Sequence, residues 1–354
     1  MEVNPGERAA VGMSGGVDST FAAYALIREG FSVTGITLRF FSGMGDTQAR
    51  REDRIVERAR RICGSLGIEH QAVDAGALFD KNVVDYLVSS YGFGETPNPC
   101  VMCNQYVKFP LIARAADRTG ARWIATGHYA STGRFRGIPV VAAAADRNKD
   151  QSYFLYRVSP ELLERCIFPL GEGNKKEVIK AVRDMELPAG SDESQDICFL
   201  TEEGLFPFLS AILTSSSGDV LDLKGNKIGT HRGCCFYTVG QRKGFGISAP
   251  APLYVVEIDP ARNVVILGQR EDLFSRLAVC RNTVIRGNLE GVELSAKIRY
   301  RHPPAPVESI DFDEGRMTVR FREPQRAITP GQSLVLYHRG MVVGGGIIMK
   351  VPEK

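Results

Sequence analysis

Two groupings in this 354-residue chain are equipped for chemistry: a loop of glycines and hydroxyls near its start, and the cysteines Cys100, Cys103 and Cys198. The loop reads Gly12-Met13-Ser14-Gly15-Gly16-Val17-Asp18-Ser19-Thr20, between the apolar Ala9-Ala10-Val11 and a helical run over 21–29. Backbone N–H groups and a helix N-terminus then converge on one small concavity, a geometry that holds a phosphate group. The pattern G-x-x-x-x-G-K-[ST] occurs neither here nor elsewhere in the chain, which disfavours the γ-phosphate chemistry of an ordinary P-loop. Without a nucleotide, the same residues make a Gly-Gly turn with Asp18 or Ser19 capping the helix.

The segment Thr96-Pro97-Asn98-Pro99-Cys100-Val101-Met102-Cys103-Asn104 sets two thiols three residues apart, directly after a rigid proline turn. A third thiol lies in Glu193-Ser194-Gln195-Asp196-Ile197-Cys198-Phe199. Both segments follow polar, turn-forming residues, which predicts accessible thiols. The C-x-x-C spacing alone admits a redox pair, half of a zinc site, part of an iron–sulfur site, or two unconnected thiols. A zinc ribbon needs a second matching pair, and Cys234 and Cys235 are adjacent, so they cannot easily ligate one tetrahedral ion together. With Cys63, Cys166 and Cys280, which sit in apolar surroundings, they read as structural, since buried cysteine behaves as a small hydrophobe.

These groups need elements to position them, and the first 130 residues supply an alternation of short apolar strands and amphipathic helices. Strands are expected near 8–12, 31–38, 68–73 and 122–126, with helices near 19–29, 50–66, 76–91 and 104–119. The fold class is therefore α/β, a doubly wound parallel sheet. Ligands of such sheets bind beyond the C-terminal ends of the strands, so loop 12–20 and Thr126-Gly127-His128-Tyr129 are expected on one edge. After a short helix near 205–213 the chain becomes turn-rich, with β-like runs near 253–258, 264–267, 295–300, 317–321 and 333–337. The expected division is a catalytic domain over 1–200, a small central domain over 201–275 and a C-terminal β-barrel over 276–354.

With 44% hydrophobic and 24% charged residues the composition is that of an ordinary globular protein, and its net charge of +3 permits nucleic-acid binding without requiring it. Basic residues gather at 50–61, 232–243 and 297–302. In the first of these runs Ile55, Val56, Ala59, Ile62 and Leu66 form an apolar stripe at helical spacing, so its arginines belong to a solvated face. No run approaches 18 apolar residues and the start is not a signal peptide, so a cytoplasmic protein with reduced cysteines is expected.

Taken in order, Ser14-Gly15-Gly16-Val17-Asp18-Ser19, T-P-N-P-x-x-x-C-N at 96–104, T-G-H-Y at 126–129, K-D-Q-S-Y-F-L at 149–155 and E-S-Q-D-I-C-F at 193–199 resemble the tRNA-specific 2-thiouridylases, the MnmA or TrmU family of PP-loop ATP pyrophosphatases. The likeness continues through 237–244, 297–301, 330–332 and 344–346. It implies cleavage of ATP between its α and β phosphates, adenylation of the C2 oxygen of the wobble uridine in tRNAs for lysine, glutamate and glutamine, and replacement of that oxygen by sulfur. It further implies Mg²⁺ with the ATP, tRNA as partner, a cysteine desulfurase or sulfur-relay protein as donor, and no membrane.

Under the same resemblance Cys198 matches the cysteine that bears the persulfide, and Cys103 its partner nucleophile, leaving a Cys103–Cys198 disulfide to be reduced. Both thiolates are expected to be favoured once tRNA is bound. Gly12, Met13, Ser14, Gly15, Gly16, Val17, Asp18, Ser19 and Gly127 match nucleotide contacts, and Leu38 stands where the family often has methionine near the adenine. Asn98, Pro99 and Cys100 match the segment at the target base, which must leave its stack to be reached. His128, Lys149, Asp150, Gln151, Arg299, Tyr300 and Gln332 match tRNA-contacting positions, although a histidine such as His128 also suits a core.

Cys100 departs from the aspartate common in the family and makes a third thiol. An iron–sulfur cluster on Cys100, Cys103 and Cys198, as proposed for part of the family, would bind sulfide directly. Two other classes compete with sulfur transfer. A PP-loop ligase that adenylates a small substrate has no need for Cys103 and Cys198, and a non-catalytic RNA-binding protein leaves the loop idle.

Overall fold

The computed structural model describes residues 6–41, 46–190, 197–200, 204–247 and 249–350, with backbone alone at 46 and 47. Glu193 to Asp196, in the motif of the third cysteine, lie outside the described residues. The chain forms two compact units: residues 1–83, 100–199 and 340–343 make the first, and residues 84–99, 200–339 and 344–354 the second.

In the first unit, β1 (Arg8–Gly12), β2 (Ser32–Arg39), β3 (Glu69–Asp74), β4 (Trp123–Thr126), a hairpin of β5 (Ala130–Phe135) and β6 (Ile138–Ala143), and the short β7 (Cys166–Ile167) follow one another. Five of them form a sheet in the order β3-β2-β1-β4-β7, and each neighbouring pair is parallel. Central β1 is apolar on both faces because both are covered: Ala9, Ala10 and Val11 have no exposed surface. Helix Val17–Arg28 contributes Ala22, Ala23 and Leu26 to this core, and helix Asp46–Ser65 contributes Ala59 and Ile62 from its expected stripe. The chain builds outward from β1 through β2 to β3 and then returns to β1's other side as β4, so the order reverses between β1 and β4. That reversal opens a crevice at the strands' C-terminal ends, where Gly12 lies opposite Ile36 and Thr126.

Two helical expectations are refined. The run near 76–91 breaks into Gly76–Phe79, a π-helical turn Asp80–Val84 and Asp85–Gly92. The run near 104–119 begins earlier, at Pro99–Met102, and passes through a π-helical turn Cys103–Lys108 before settling into Phe109–Arg118. Such turns insert a residue into the helical ladder and re-aim side chains. Hairpin β5–β6, not expected from the sequence, turns at Arg136 and Gly137, both with positive φ. Its Ala142 pairs with Met341.

The second unit holds β8 (Gly218–Asp222), β9 (Lys227–His231), β10 (Tyr254–Asp259) and β11 (Val264–Gly268) in a four-stranded sheet of order β10-β11-β8-β9. Val220, Val255, Val265 and Leu267 form its core. Next come β12 (Phe274–Ile285), β13 (Ser295–Lys297), β14 (Ala305–Asp313), β15 (Arg316–Arg326), β16 (Ser333–His338) and β17 (Met341–Met349), in the order β12-β15-β14-β13-β16-β17. Antiparallel pairing of β12 with β17 closes these six into a barrel. Its interior is filled by Ala296, Met317, Val319, Phe321, Leu334 and Leu336, all with no exposed surface.

Candidate active site

Loop 12–20 leaves β1 tied to the neighbouring strand β2. The Met13 N–H donates to the Ile36 carbonyl at 2.8 Å, and the Thr37 hydroxyl donates to the Met13 carbonyl at 2.8 Å. Gly15 takes a left-handed φ of +72°, where a side chain would be strained. Ser14 is folded onto the helix it precedes: its N–H donates to Ser19 Oγ at 3.2 Å, and the two hydroxyls lie 3.1 Å apart. The helix N-cap is Gly16, in extended conformation and without a side-chain cap, so neither Asp18 nor Ser19 acts as the simple capping residue of a bare turn.

Asp18 is engaged elsewhere. Its Oδ1 accepts from Lys175 Nζ at 2.6 Å and from the Tyr129 hydroxyl at 3.1 Å, and Lys175 also lies over the Tyr129 ring, 5.6 Å from its centroid. Gly127 presses on the same turn; a Cβ there would come within 2.7 Å of the Asp18 carbonyl carbon and the Ser19 nitrogen. The two loops expected at one sheet edge therefore meet, and the C-terminal end of β2 presents Leu38 half-buried. Sequence reasoning missed Lys175 because no motif carries it. It sits at the start of helix Lys175–Asp184, which the Asn174 side chain caps at 2.9 Å from the Lys176 N–H.

The sulfur candidates occupy the same unit. All eight cysteines are present as thiols, and Cys63, Cys166, Cys234, Cys235 and Cys280 are buried, as a structural role requires. The expectation of accessible thiols holds for Cys198, which is exposed, and in part for Cys100, which is half-buried. It fails for Cys103, 7% exposed, because the π-helical turn rolls its side chain inward. Burial pushes the Cys103 thiol up to about 12, the neighbouring Cys198 and Cys100 push the same way, and Lys108 opposes by its charge and a backbone hydrogen bond. Desolvation also raises the Cys198 thiol, against Lys108 and Arg51, but the residue's exposure to water limits that shift. Cys198 and Cys100 thus both lie within electrostatic reach of Cys103, and Lys108 acts on Cys103 and Cys198 alike.

Asn104, 2% exposed, donates from Nδ2 to the Phe154 carbonyl at 3.1 Å, while its Oδ1 has no hydrogen-bond partner. Phe199 packs edge-on against Phe79 with ring centroids 5.4 Å apart, anchoring the chain next to Cys198. Among the described residues no three His, Cys, Asp or Glu side chains converge as a metal site.

His128 is half-buried and held by its neighbours. Its Nδ1 is 2.7 Å from Thr126 Oγ1, its ring stacks on Phe109, and burial, seconded by Lys108, drives its pKa well below the usual value, leaving it neutral. Asp150 is buried too, accepting from the Ala144 N–H at 3.2 Å and from the Ser152 N–H and hydroxyl at 3.1 and 3.0 Å, so its carboxylate holds a turn. Next to it Gln151 pairs both ways with Tyr129: its N–H donates to the Tyr129 carbonyl at 2.7 Å, and its Oε1 accepts from the Tyr129 N–H at 2.9 Å. Lys149 is half-buried at the start of the segment.

The second unit carries the remaining candidates. Asn98 and Gln332 are brought together, Asn98 Nδ2 donating to Gln332 Oε1 at 3.2 Å and Asn98 Oδ1 accepting from the Ser333 N–H at 2.7 Å. Gln332 Nε2 also donates to the Thr96 carbonyl at 2.8 Å, and Pro99 is buried. Arg299 donates to the Ala327 carbonyl and to Thr329 Oγ1, and Lys297 lies over the Tyr300 ring.

Comparison with known proteins covers the whole architecture. The tRNA methyl transferase HUP domain matches residues 7–202, the tRNA methyl transferase PRC-barrel domain 207–269, and the aminomethyltransferase beta-barrel domain 279–348. The chain is 44% identical over 351 residues to the tRNA-specific 2-thiouridylase MnmA of Gloeothece citriformis, spanning 97% of this chain and 99% of that protein. Its counterpart in Nostoc sp. is 42% identical over 97% of this chain and 98% of that protein. The one in Pelotomaculum thermopropionicum is 40% identical over 96% of each.

Proposed function

The chain belongs to the family of tRNA-specific 2-thiouridylases named MnmA, and from that premise we propose that it uses ATP to replace the C2 oxygen of the wobble uridine with sulfur in tRNAs for lysine, glutamate and glutamine. The C2 oxygen attacks the α-phosphate of ATP, the bond to the β-phosphate breaks, pyrophosphate leaves, and the uracil N3 proton passes to solvent. The terminal sulfur of a Cys198 persulfide then attacks C2 and expels AMP together with the former C2 oxygen. Cys103 attacks the Cys198 sulfur, closing a Cys103–Cys198 disulfide and leaving the transferred sulfur on C2. Two electrons from an external thiol reductant restore both cysteines, and a cysteine desulfurase or relay protein reloads Cys198.

Several observations support this order of events. Loop 12–20 offers an uncapped helix N-terminus for the pyrophosphate, and Lys175 offsets the Asp18 carboxylate that would otherwise repel it. Magnesium carried on the triphosphate would find in Asp18 the loop's one carboxylate and would supply positive charge against the leaving pyrophosphate. The exposed Cys198 suits a residue reloaded from outside, and the buried Cys103 suits one that must act only after C2 has been attacked. Asn98, Pro99 and Cys100 are assigned to the target base, and His128, Lys149, Asp150, Gln151, Arg299, Tyr300 and Gln332 to tRNA. Residues 1–200, 201–275 and 276–354 are taken as catalytic, central and tRNA-binding domains. The iron–sulfur route through Cys100, Cys103 and Cys198 is the second reading; that no three His, Cys, Asp or Glu side chains converge as a metal site among the described residues favours the persulfide. Methyl transfer, in the wording of two of the matched domains, would use neither the ATP loop nor the thiols.

The protein is assigned to the cytoplasm; among the described residues no helix is long and apolar enough to cross a membrane. The observation that carries the proposal is the placing of the nucleotide loop, Cys103 and Cys198 in one compact unit. The test combines the protein with unmodified tRNA, ATP and a persulfide donor, and follows AMP, pyrophosphate and 2-thiouridine. Cys198→Ser is expected to abolish thiolation while tRNA binding stays nearly intact, and retained thiolation would overturn the role given to Cys198.

A further inference from the structure

We propose that Tyr129 is a positioning residue that couples the segment 149–151 to the nucleotide loop, so that tRNA and ATP strengthen each other's binding. The inference rests on the assignment of Lys149, Asp150 and Gln151 to tRNA contact made above. Tyr129 is only 2% exposed and is tied at both ends. Its hydroxyl donates to Asp18 Oδ1 at 3.1 Å, on the same oxygen that takes Lys175 Nζ at 2.6 Å. Its backbone exchanges two hydrogen bonds with Gln151, at 2.7 and 2.9 Å.

Neither end has much slack. The Asp150 carboxylate binds Ala144 and Ser152, so segment 149–151 moves as one piece. Gly127 is wedged against Asp18 and Ser19 with no room for a Cβ, so the exit of β4 and the first turn of helix Val17–Arg28 also move together. A shift imposed at Gln151 is therefore delivered to the Asp18 carboxylate through Tyr129. Asp18 is the one anion in a loop that must accept a polyphosphate, and how fully Lys175 neutralises it decides whether that loop attracts or repels the nucleotide. The coupling has to be reciprocal: ATP must favour tRNA by the factor by which tRNA favours ATP.

The experiment measures the Kd of an α,β-methylene ATP analogue with and without saturating tRNA, and the Kd of tRNA with and without the analogue. The unaltered protein is expected to show one common factor of about 5-fold or more. Tyr129→Phe keeps the ring and removes only the hydroxyl; the factor is expected to fall to within about 2-fold of unity while each ligand alone binds within about 3-fold of normal. A purely structural tyrosine would weaken both ligands and leave the factor standing. If Tyr129→Phe does not fold, Gln151→Leu removes the side-chain half of the link at its other end, keeping the backbone bond, and should lower the same factor. An unchanged factor in the folded variant, or no coupling in the unaltered protein, overturns the inference. Thiolation measured alongside separates this outcome from failure of the functional assignment, which would appear as no thiolation at all.

Discussion

Groups a few ångströms apart set the chemistry, and several of them lead to measurable consequences. Burial holds the Cys103 thiol up at about 12 while Cys198 is exposed, so in the protein without tRNA iodoacetamide at pH 8 should alkylate Cys198 well before Cys103. Peptide mass spectrometry reads that order, and equal rates would refute it. Lys108 lowers both thiols, so Lys108→Met should slow alkylation of Cys198 and Lys108→Arg should restore it. Gly127→Ala drives a methyl group into backbone at 2.7 Å; the expected cost is about 1–3 kcal/mol of stability with weakened ATP binding, measured by denaturant titration and nucleotide affinity. Lys175→Met leaves Asp18 without its cation beside the phosphate site and should raise KM for ATP, which a steady-state pyrophosphate assay checks. The motifs made the loop, the cysteines and Gly127 legible. Lys175 was not, because its partner lies 157 residues away and a lysine in the first turn of a helix has no distinctive spacing. Asp150 was legible as a motif member but not as a buried turn-holder, since only the fold reveals which donors surround it.

At the scale of elements, apolar runs bounded by glycine or polar turns sufficed for β1 to β4 of the parallel sheet, whereas the two-residue β7 is too short to leave a pattern. The same pattern does not encode a π-helical turn. Met102 and Cys103 are both buried and the following residues remain helical, so the extra residue that turns Cys103 inward leaves no mark on the period. Hairpin β5–β6 escaped because its turn is Arg136-Gly137 rather than a strong turn pair such as Asn-Gly. In the second unit, segment 95–98 is held by side chains. Glu95 takes both Arg281 terminal nitrogens at 2.7 Å, and Asn98 bridges Gln332 and Ser333. Asn98→Ala removes two of these hydrogen bonds and is expected to cost about 1–3 kcal/mol, visible as a lower denaturant midpoint; an unchanged midpoint would show that the segment is held by other contacts.

The whole molecule carries a pH signature. His70, His128 and His231 are all held with lowered pKa values, chiefly by desolvation, so as pH falls below about 6.5 the unfolded chain takes up protons that the folded chain refuses, and stability is lost. Cys63 and Cys103 are raised by burial, to about 11 and about 12, and their contribution is present below about 8.5 and lost as the unfolded thiols ionise above it. Thermal unfolding should therefore show a plateau between these limits and a falling Tm on either side; a Tm that rises from pH 7 to pH 5.5 would contradict the histidine argument. The interleaving of the units in the chain has a temporal consequence. Residues 340–343 complete the unit that begins with the nucleotide loop, and Met341 pairs with Ala142. A ribosome making this protein must therefore translate as far as residue 343 before the ATP-binding unit can be finished, so a chain terminated before that point lacks part of the unit.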